Sequence, residues 1–513
     1  MDVTIKNKSL KQIIGQEKWF FLALFIYSFL LLFLCTKLSP LYDFNYWSDV
    51  NIYFTVGKGM MNGLVPYRDL FDHKGPLIFL VYGLGYLISN DTFTGVYIIE
   101  SLFFFMGSSA VYLLARLYLS KPYAFFIATL FAVMALYFAG LGGSAEEYIL
   151  MLQAVGLFLF LRYFSSGNPK EHSIGAMFVQ GVLIGLVFFM KLNLTVFWFF
   201  LIVAIFINLL KNKLYRNFLQ NSLALLAGLF LVFAIVLAYF LSNSAISDLW
   251  TGYIEFNSRY ANELQLNPAL FVGIAARFTH LLVSYPFSFG AGVAGLLAFV
   301  FIPGFVRNIY AKTALVLSFV SLSFVIFLGA AMMEYYYTSF SVFLIFTFVV
   351  LFFVVERYFR TKSISYLAFI ASIAGLALGC WQKSFFGEAN EYLLRRSVPP
   401  TLENKFGAII KKEKNPTLLC LGMDRSLGLF TKADIVPNVK YFFYPNIYYE
   451  KFPDIRDSQQ QYIDEGKITF VVMRDVFIYY QYFKQLDSFS ANYQPVDSLY
   501  EDESMYYLYK KVD

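Results

Sequence analysis

The residues most able to do chemistry crowd into one short stretch, YDFNYWSDVNIYFTVGKGMMNGLVPYRDLFDHKGPL, residues 42–77. It carries Asp49, Arg68, Asp69, Asp72, His73 and Lys74. Carboxylates and an imidazole can take up or deliver a proton, while an ammonium or guanidinium beside them can stabilise an anion as it forms. A single charged loop residue is usually just solvated or bound to a lipid headgroup. Both charge signs crowded into one loop point instead to a site. Outside this stretch, Glu146, Glu147 and Lys191 stand at the ends of apolar runs, where an ionisable group raises a functional hypothesis. Glu146 and Glu147 also suit a helix start, and Lys191 could snorkel to the interface. Arg259, Arg277 and His280 share a later loop, with nothing in the sequence to fix their direction. Glu334 and the tyrosines after it read as interfacial residues without a catalytic role.

The elements that must position these residues lie in a membrane. A chain of 513 residues with 59% hydrophobic and 14% charged residues, and a mean hydropathy of +0.60, is too apolar for a soluble globular protein. The 61 Phe and 39 Tyr suit lipid-facing helices and interfacial belts. The net charge of +6 is no sign of nucleic-acid binding, because the basic residues cluster in short loops between apolar runs. Three cysteines (Cys35, Cys380, Cys420) and three histidines (His73, His172, His280) are too few and too scattered for a metal cluster or a disulfide framework. No metal or other cofactor is expected. The basic N-terminus runs into apolar residues without a small-residue cleavage site, which predicts an uncleaved first span.

Apolar runs near 19–36, 94–115, 122–139, 147–164, 174–190, 192–210, 219–241, 286–303, 313–333, 338–355 and 364–380 predict about eleven transmembrane helices. The run 76–89 is too short to cross. If it stays on one side, the N-terminal lysines share a face with Arg116/Lys121, Arg162/Lys170 and Lys211/Lys213/Arg216. Arg307/Lys312 and Arg357/Arg360/Lys362 fall there too. By the positive-inside rule that face is cytoplasmic. The first loop (38–93), the GGSAEE turn, a loop over 242–285, a tight hairpin at Lys191, the segment 332–337 and the tail then lie outside. In the first loop, Ser48 as N-cap and the apolar spacing after it predict an amphipathic helix lying flat on the membrane. Asp49 falls in its first turn, and Pro76 opens a second juxtamembrane helix.

The fold expected is an all-α polytopic bundle over 1–380 plus a small extracytoplasmic α/β domain over 381–513. In that tail TLLCLG, VKYFFY and ITFVVM read as strands, IRDSQQQYIDEG as a helix, and EDES as a hairpin turn. It has no Gly-rich phosphate loop and no evident nucleophile, so it reads as an accessory or acceptor-side domain.

Three features carry a resemblance to a known family. They are the acid Asp49 soon after the first span, the His73-Lys74-Gly75-Pro76-Leu77 entry to a short helix, and Glu146/Glu147 after the third span. Together with the architecture they resemble the GT-C glycosyltransferases, in the branch of the protein O-mannosyltransferases and aminoarabinose transferases. The pattern departs where Ser48-Asp49 replaces an Asp-Glu pair and Gly75-Pro76 replaces a double proline. The resemblance implies transfer of a sugar from a polyprenyl-phosphate donor to an extracytoplasmic glycan, lipid or protein, with inversion. It implies Asp49 as general base and Lys74, Arg68 and Lys191 as cations for the lipid phosphate. Asp72, His73, Glu146 and Glu147 are then expected to bind substrate, and the location is a bacterial cytoplasmic membrane. A flippase or a non-catalytic assembly protein for lipid-linked saccharides is the alternative. The scarcity of charge within the spans argues against a conduction path.

Overall fold

The computed structural model describes residues 9–165, 171–260, 268–328, 333–358, 364–388, 400–445, 447–475 and 478–512. Lys6, Lys8, Lys170, Arg360 and Lys362, used above to orient the chain, lie outside the described residues, as does Met332 of the segment 332–337. The chain divides into two compact units. One comprises Met1–Thr36, Ile98–Val236 and Leu264–Phe386; the other comprises Lys37–Tyr97, Leu237–Glu263 and Gly387–Asp513. The first outer loop, expected from sequence in the membrane domain, falls in the same unit as the tail.

The first unit is helical and apolar, and the chain is a multi-pass membrane protein. Among the described residues seven helices are long and apolar enough to cross a bilayer, or eight if one bent pair is counted as a single span. The stretch Ile174–Lys211 is helical almost throughout, yet it is not one rod. Lys191 leaves the helical region (φ −157°, ψ 94°), and Trp198 Nε1 donates to Gln180 Oε1 at 2.9 Å. On a straight helix those two residues would stand about 27 Å apart. The chain therefore doubles back at Lys191, as expected. Helices Ile174–Lys191 and Tyr215–Ser242 approach at Gly181 and Gly228, where a Cβ would fall 2.2 Å from Leu225 O and Phe178 O respectively. Small residues let two backbones pack in lipid without a hydrophobic driving force.

Arg116, in the loop after helix Thr94–Ala115, meets the buried carboxylate of Glu17 at 2.9 Å, and Tyr112 also donates to Glu17. One expectation for this unit is corrected. The loop over 242–285 holds an apolar helix, Pro268–Ser284, bent by 98° against the helical stretch Pro286–Phe301. Pro286 removes an amide donor at the junction and forces the break.

In the second unit, helices Ser48–Met61 and Pro76–Ile88 cross at Gly57 and Gly83. A Cβ on Gly57 would lie 2.5 Å from the Gly83 backbone nitrogen. The expected cap is wrong: Trp47 occupies the N-cap and Ser48 is already helical. The helix is also enclosed by protein rather than exposed on its polar face. All residues from Asp49 to Gly59 are buried, because the polar face turns toward the tail. Asn51 accepts from Thr431 at 2.8 Å, and Lys58 reaches Phe430 O at 3.0 Å and Asp434 at 2.8 Å. A buried ammonium demands such partners.

The tail forms a four-stranded sheet of β1 (Leu418–Cys420), β2 (Phe470–Arg474), β3 (Tyr493–Glu501) and β4 (Ser504–Lys511), in the order β1-β2-β4-β3. β1 and β2 run parallel, with helix Pro453–Asp464 in the connection, as a parallel pair requires. β3 and β4 make the expected hairpin, whose turn residues Asp502 and Glu503 both take positive φ. VKYFFY is not a strand; it makes a single bridge, Cys420 to Phe443, and sends its aromatics into a core instead. That core gathers Phe71 from the first loop, Phe256, and Tyr441, Tyr444, Phe452 and Ile455 from the tail.

Replacing Gly57 by Val should force the helix pair apart and destabilise the second unit by about 1–3 kcal/mol. Thermal unfolding of the detergent-solubilised protein should show a lowered Tm. An unchanged Tm would mean the two helices do not touch at this point.

Candidate active site

Helix Ser48–Met61 delivers Asp49 at its first turn, where the helix dipole favours a carboxylate. One turn further on, Tyr53 projects from the same face and donates its hydroxyl to Asp49 Oδ2 at 3.2 Å. Lys74 Nζ stands 3.6 Å from the same oxygen and lies over the Tyr53 ring at 5.8 Å. Asp49 is 4% exposed and Lys74 8%, so the pair is largely removed from water and each partner stabilises the charge of the other.

The segment that brings Lys74 into place is tightly tied. Tyr67 adopts a left-handed backbone (φ 68°), its amide donates to Leu70 O at 2.6 Å, and its hydroxyl donates to Lys74 O at 2.5 Å. Positive φ on a bulky residue is costly and persists only where the surroundings enforce it. Gly252 packs directly on the Tyr67 ring, where even a Cβ would lie 2.4 Å from a ring carbon. Phe71 N donates to Lys440 O at 2.9 Å, which anchors the loop to the tail. Tyr67 and Phe71 also line a cavity of about 140 Å³, with Asp248 and Lys440 among its other walls.

Asp72 and His73 pair with each other rather than with Asp49. His73 Nδ1 is 3.3 Å from Asp72 Oδ1, the ring stacks on Phe256, and His73 O accepts from Asn257 at 2.6 Å. Burial alone would lift the Asp72 carboxyl, but His73 and then Lys74 outweigh it and hold it below the usual carboxylate range. Arg68 makes a two-pronged pair with Asp69 at 2.9 and 2.8 Å and donates to Asn243 O at 2.7 Å. Asp69 in turn accepts from the Val65 amide at 2.8 Å, so this pair closes the turn.

Glu146, Glu147 and Lys191 belong to the first unit. Lys191 forms an ion pair with Glu146 and lies 4.0 Å over the Tyr336 ring. Glu147 completes a capping box with Ser144, at 2.7 and 3.3 Å, so the bland reading of a helix start holds for that residue. It also faces Glu100 and Lys383. Arg259 pairs with Glu255 one turn away, Arg277 donates to Phe327 O, and His280 stands 3.4 Å from Ser284. Among the described residues, no group of three or more His, Cys, Asp and Glu side chains could hold a metal ion.

Sequence reasoning missed four residues of interest. Tyr53 lies one helical turn from Asp49, a spacing that was there to be read. Glu100 is an acid inside the apolar run 94–115, itself a signal. Tyr67 and Lys383 gave none, since a left-handed tyrosine and a lysine past the last span acquire meaning only from their contacts.

Known proteins resemble the chain in sequence over one stretch and in overall fold. Residues 73–240 match the family model of dolichyl-phosphate-mannose-protein mannosyltransferase, a stretch that begins at His73 and so includes Lys74, Glu146, Glu147 and Lys191. No curated protein sequence matches the chain. The fold is similar to that of ArnT from Cupriavidus metallidurans bound to undecaprenyl phosphate. The identity is 14%, the match covers 96% of this chain and 98% of that one, and the TM-score is 0.50. The apo form of the same protein matches over the same shares at 13% identity and TM-score 0.50. The oligosaccharyltransferase AglB from Archaeoglobus fulgidus, in complex with an inhibitory peptide and a dolichol-phosphate, is similar at 14% identity. That match covers 96% and 74% of the two chains, with TM-score 0.49. The chain thus shares its overall fold with ArnT, and about a third of its length, residues 73–240, matches the mannosyltransferase family model.

A carboxyl held below its ordinary value stabilises the fold at every pH above that value. Its contribution disappears as the pH falls through the lowered one. Wild-type protein should therefore lose Tm on acidification below about pH 4, while Asp72→Asn should start less stable and lose less. Parallel acid-melting curves for the two proteins would contradict the role given to Asp72.

Proposed function

We propose that this chain transfers a sugar from a polyprenyl-phosphate donor to an acceptor hydroxyl outside the cytoplasm, inverting the anomeric carbon, with Asp49 as general base. The single observation that carries this reading is the buried Asp49–Lys74 pair. Asp49 takes the acceptor proton as the acceptor oxygen attacks C1 of the sugar. The bond from C1 to the phosphate oxygen breaks on the opposite face, and the electron pair leaves with the lipid phosphate. Lys74 then exchanges its carboxylate partner for the phosphate, whose charge grows in a dry environment where an ammonium is worth most. Tyr53 keeps the carboxylate oriented while Lys74 is drawn away. The acceptor is left at its class: a hydroxyl on an envelope glycan, lipid or protein.

The orientation belongs to this proposal. The N-terminus lies in the cytoplasm, and the first loop and tail lie outside. Helix Pro76–Ile88, at 13 residues, spans about 20 Å and is too short for the hydrocarbon layer. The basic residues between the spans then share one face. The membrane is taken to be the bacterial cytoplasmic membrane, and the division of labour between 1–380 and 381–513 stays part of the reading. Lys191 and Glu146 remain candidates for substrate contact from the first unit, and the steps above do not call on them. Arg68, bound to Asp69, serves the turn first, and Asp72 and His73 hold the segment that carries Lys74.

Asp49→Asn should lower transfer by roughly 10²–10⁴-fold while the protein still folds and inserts. The measurement is mass spectrometry of envelope glycans from a strain lacking the gene, complemented with wild type or variant. Full restoration by the variant would remove Asp49 from the mechanism. Lys74→Met should lower kcat with purified carrier-linked donor by about 10²–10³-fold, and Lys74→Arg should recover part of the loss. If Lys74→Met changed only KM, the cation would act in ground-state binding alone.

A further inference from the structure

Cys35 ends helix Leu10–Cys35 and Cys380 stands in the last turns of helix Ile364–Gln382. They are 345 residues apart in sequence, yet their sulfurs lie 3.9 Å apart, within the first unit. Helix contacts fix the approach: a Cβ on Gly379 would stand 3.5 Å from Cys35 Sγ and 3.5 Å from Leu31 Cδ1. Tyr27, two turns before Cys35, donates to Ser372 O, two turns before Cys380, so the two helices are in register along this face. Cys35 is fully buried and Cys380 is partly exposed, whereas Cys420 is buried in the tail sheet beside Ser426.

We propose that Cys35 and Cys380 form a disulfide in the mature protein, clamping the first helix of the bundle to the last. The side of the membrane rests on the orientation proposed above, which puts both helix ends in the oxidising compartment where disulfides persist. The oxidant is a disulfide of an extracytoplasmic thiol oxidoreductase. The exposed Cys380 thiolate attacks one of its sulfurs and expels a thiolate, leaving a mixed disulfide. The Cys35 thiolate then attacks Cys380 Sγ and expels the second sulfur. Two electrons pass to the oxidant, and the two thiol protons end on its released thiols. A modest shift of the helix ends closes the gap from van der Waals contact to a bond.

The clamp has a structural consequence. Lys383, less than one turn past Cys380, is buried and donates to Leu136 O and Gly140 O at 2.8 Å each. Those carbonyls belong to the segment that leads through Gly142 and Gly143 to the Ser144 cap and Glu146. Fixing Cys380 therefore fixes the lysine that holds this turn.

The test uses full-length protein in its native membrane. Cells are quenched in acid and the protein is unfolded in detergent with a first maleimide, so that every free thiol, buried ones included, is blocked. The protein is then purified, denatured, reduced and labelled with a second, heavier maleimide before peptide mapping. The proposal expects the heavy label on Cys35 and Cys380 and the first label on Cys420, and the linked peptide in an unreduced digest. First-maleimide label on Cys380, or on both, in the wild type would overturn it. In Cys35→Ser, Cys380 is a lone thiol, and a membrane-impermeant maleimide on intact cells reads its side. Labelling from outside supports the orientation whatever the fate of the disulfide. Labelling only after permeabilisation sinks the orientation, and with it the oxidant named here.

Discussion

The second unit is organised around one electrostatic constraint: a carboxylate and an ammonium, Asp49 and Lys74, held together largely out of water. Burying such a pair costs desolvation energy that their attraction repays only with good geometry and further hydrogen bonds. The surroundings supply that geometry. Tyr53 rises from the same helix to the carboxylate, and Tyr67 accepts an unfavourable backbone angle to tie down the carbonyl of Lys74. Asp72 and His73 fix the segment from the other side, and Gly57 against Gly83 lets the two helices close. The contact between Lys74 and Asp49 is also long for a hydrogen-bonded ion pair. Such a pair is stable enough to be built and loose enough for a phosphate to replace the carboxylate.

The same constraint explains why the tail belongs with the first loop. Helix Ser48–Met61 carries Asn51 and Lys58 on a face that would be solvated in an interfacial helix. Here Thr431, Phe430 and Asp434 cover it. The aromatic core from Phe71 through Phe256 to Phe452 and Ile455 anchors the segment that carries Lys74. A domain that looks like an appendage in the sequence is thus packed on the helix that carries Asp49. Packing against the tail and against helix Pro76–Ile88, more than helix propensity, fixes the helix that carries Asp49.

Much of the membrane architecture could be read directly, because a run of apolar residues of bilayer length has few other uses. The reversal at Lys191 was legible for the same reason, as was the β3–β4 hairpin at EDES. What could not be read depended on partners far away in sequence. Burial of the first-loop helix needs residues some 370 positions downstream, and VKYFFY alternates like a strand but spends its aromatics on a core shared with Phe71. The bend before Pro286 was marked by the proline, yet Pro268–Ser284 is amphipathic enough to pass for a loop. In the site, Asp49 and Lys74 stood out by type and crowding, while Tyr53 was missed although it lies one helical turn from Asp49. The division of the cluster into two pairs, Asp49 with Lys74 and Asp72 with His73, is a matter of side-chain direction that composition does not encode.

The central claim is that Lys74 leaves Asp49 for the phosphate of a carrier lipid. A structure of the protein bound to undecaprenyl phosphate in a lipid nanodisc tests it most directly. The account predicts a phosphate oxygen within about 3 Å of Lys74 Nζ, with the Asp49 carboxylate released from the ammonium and still held by Tyr53. A phosphate bound elsewhere, with Lys74 unmoved against Asp49, would contradict it.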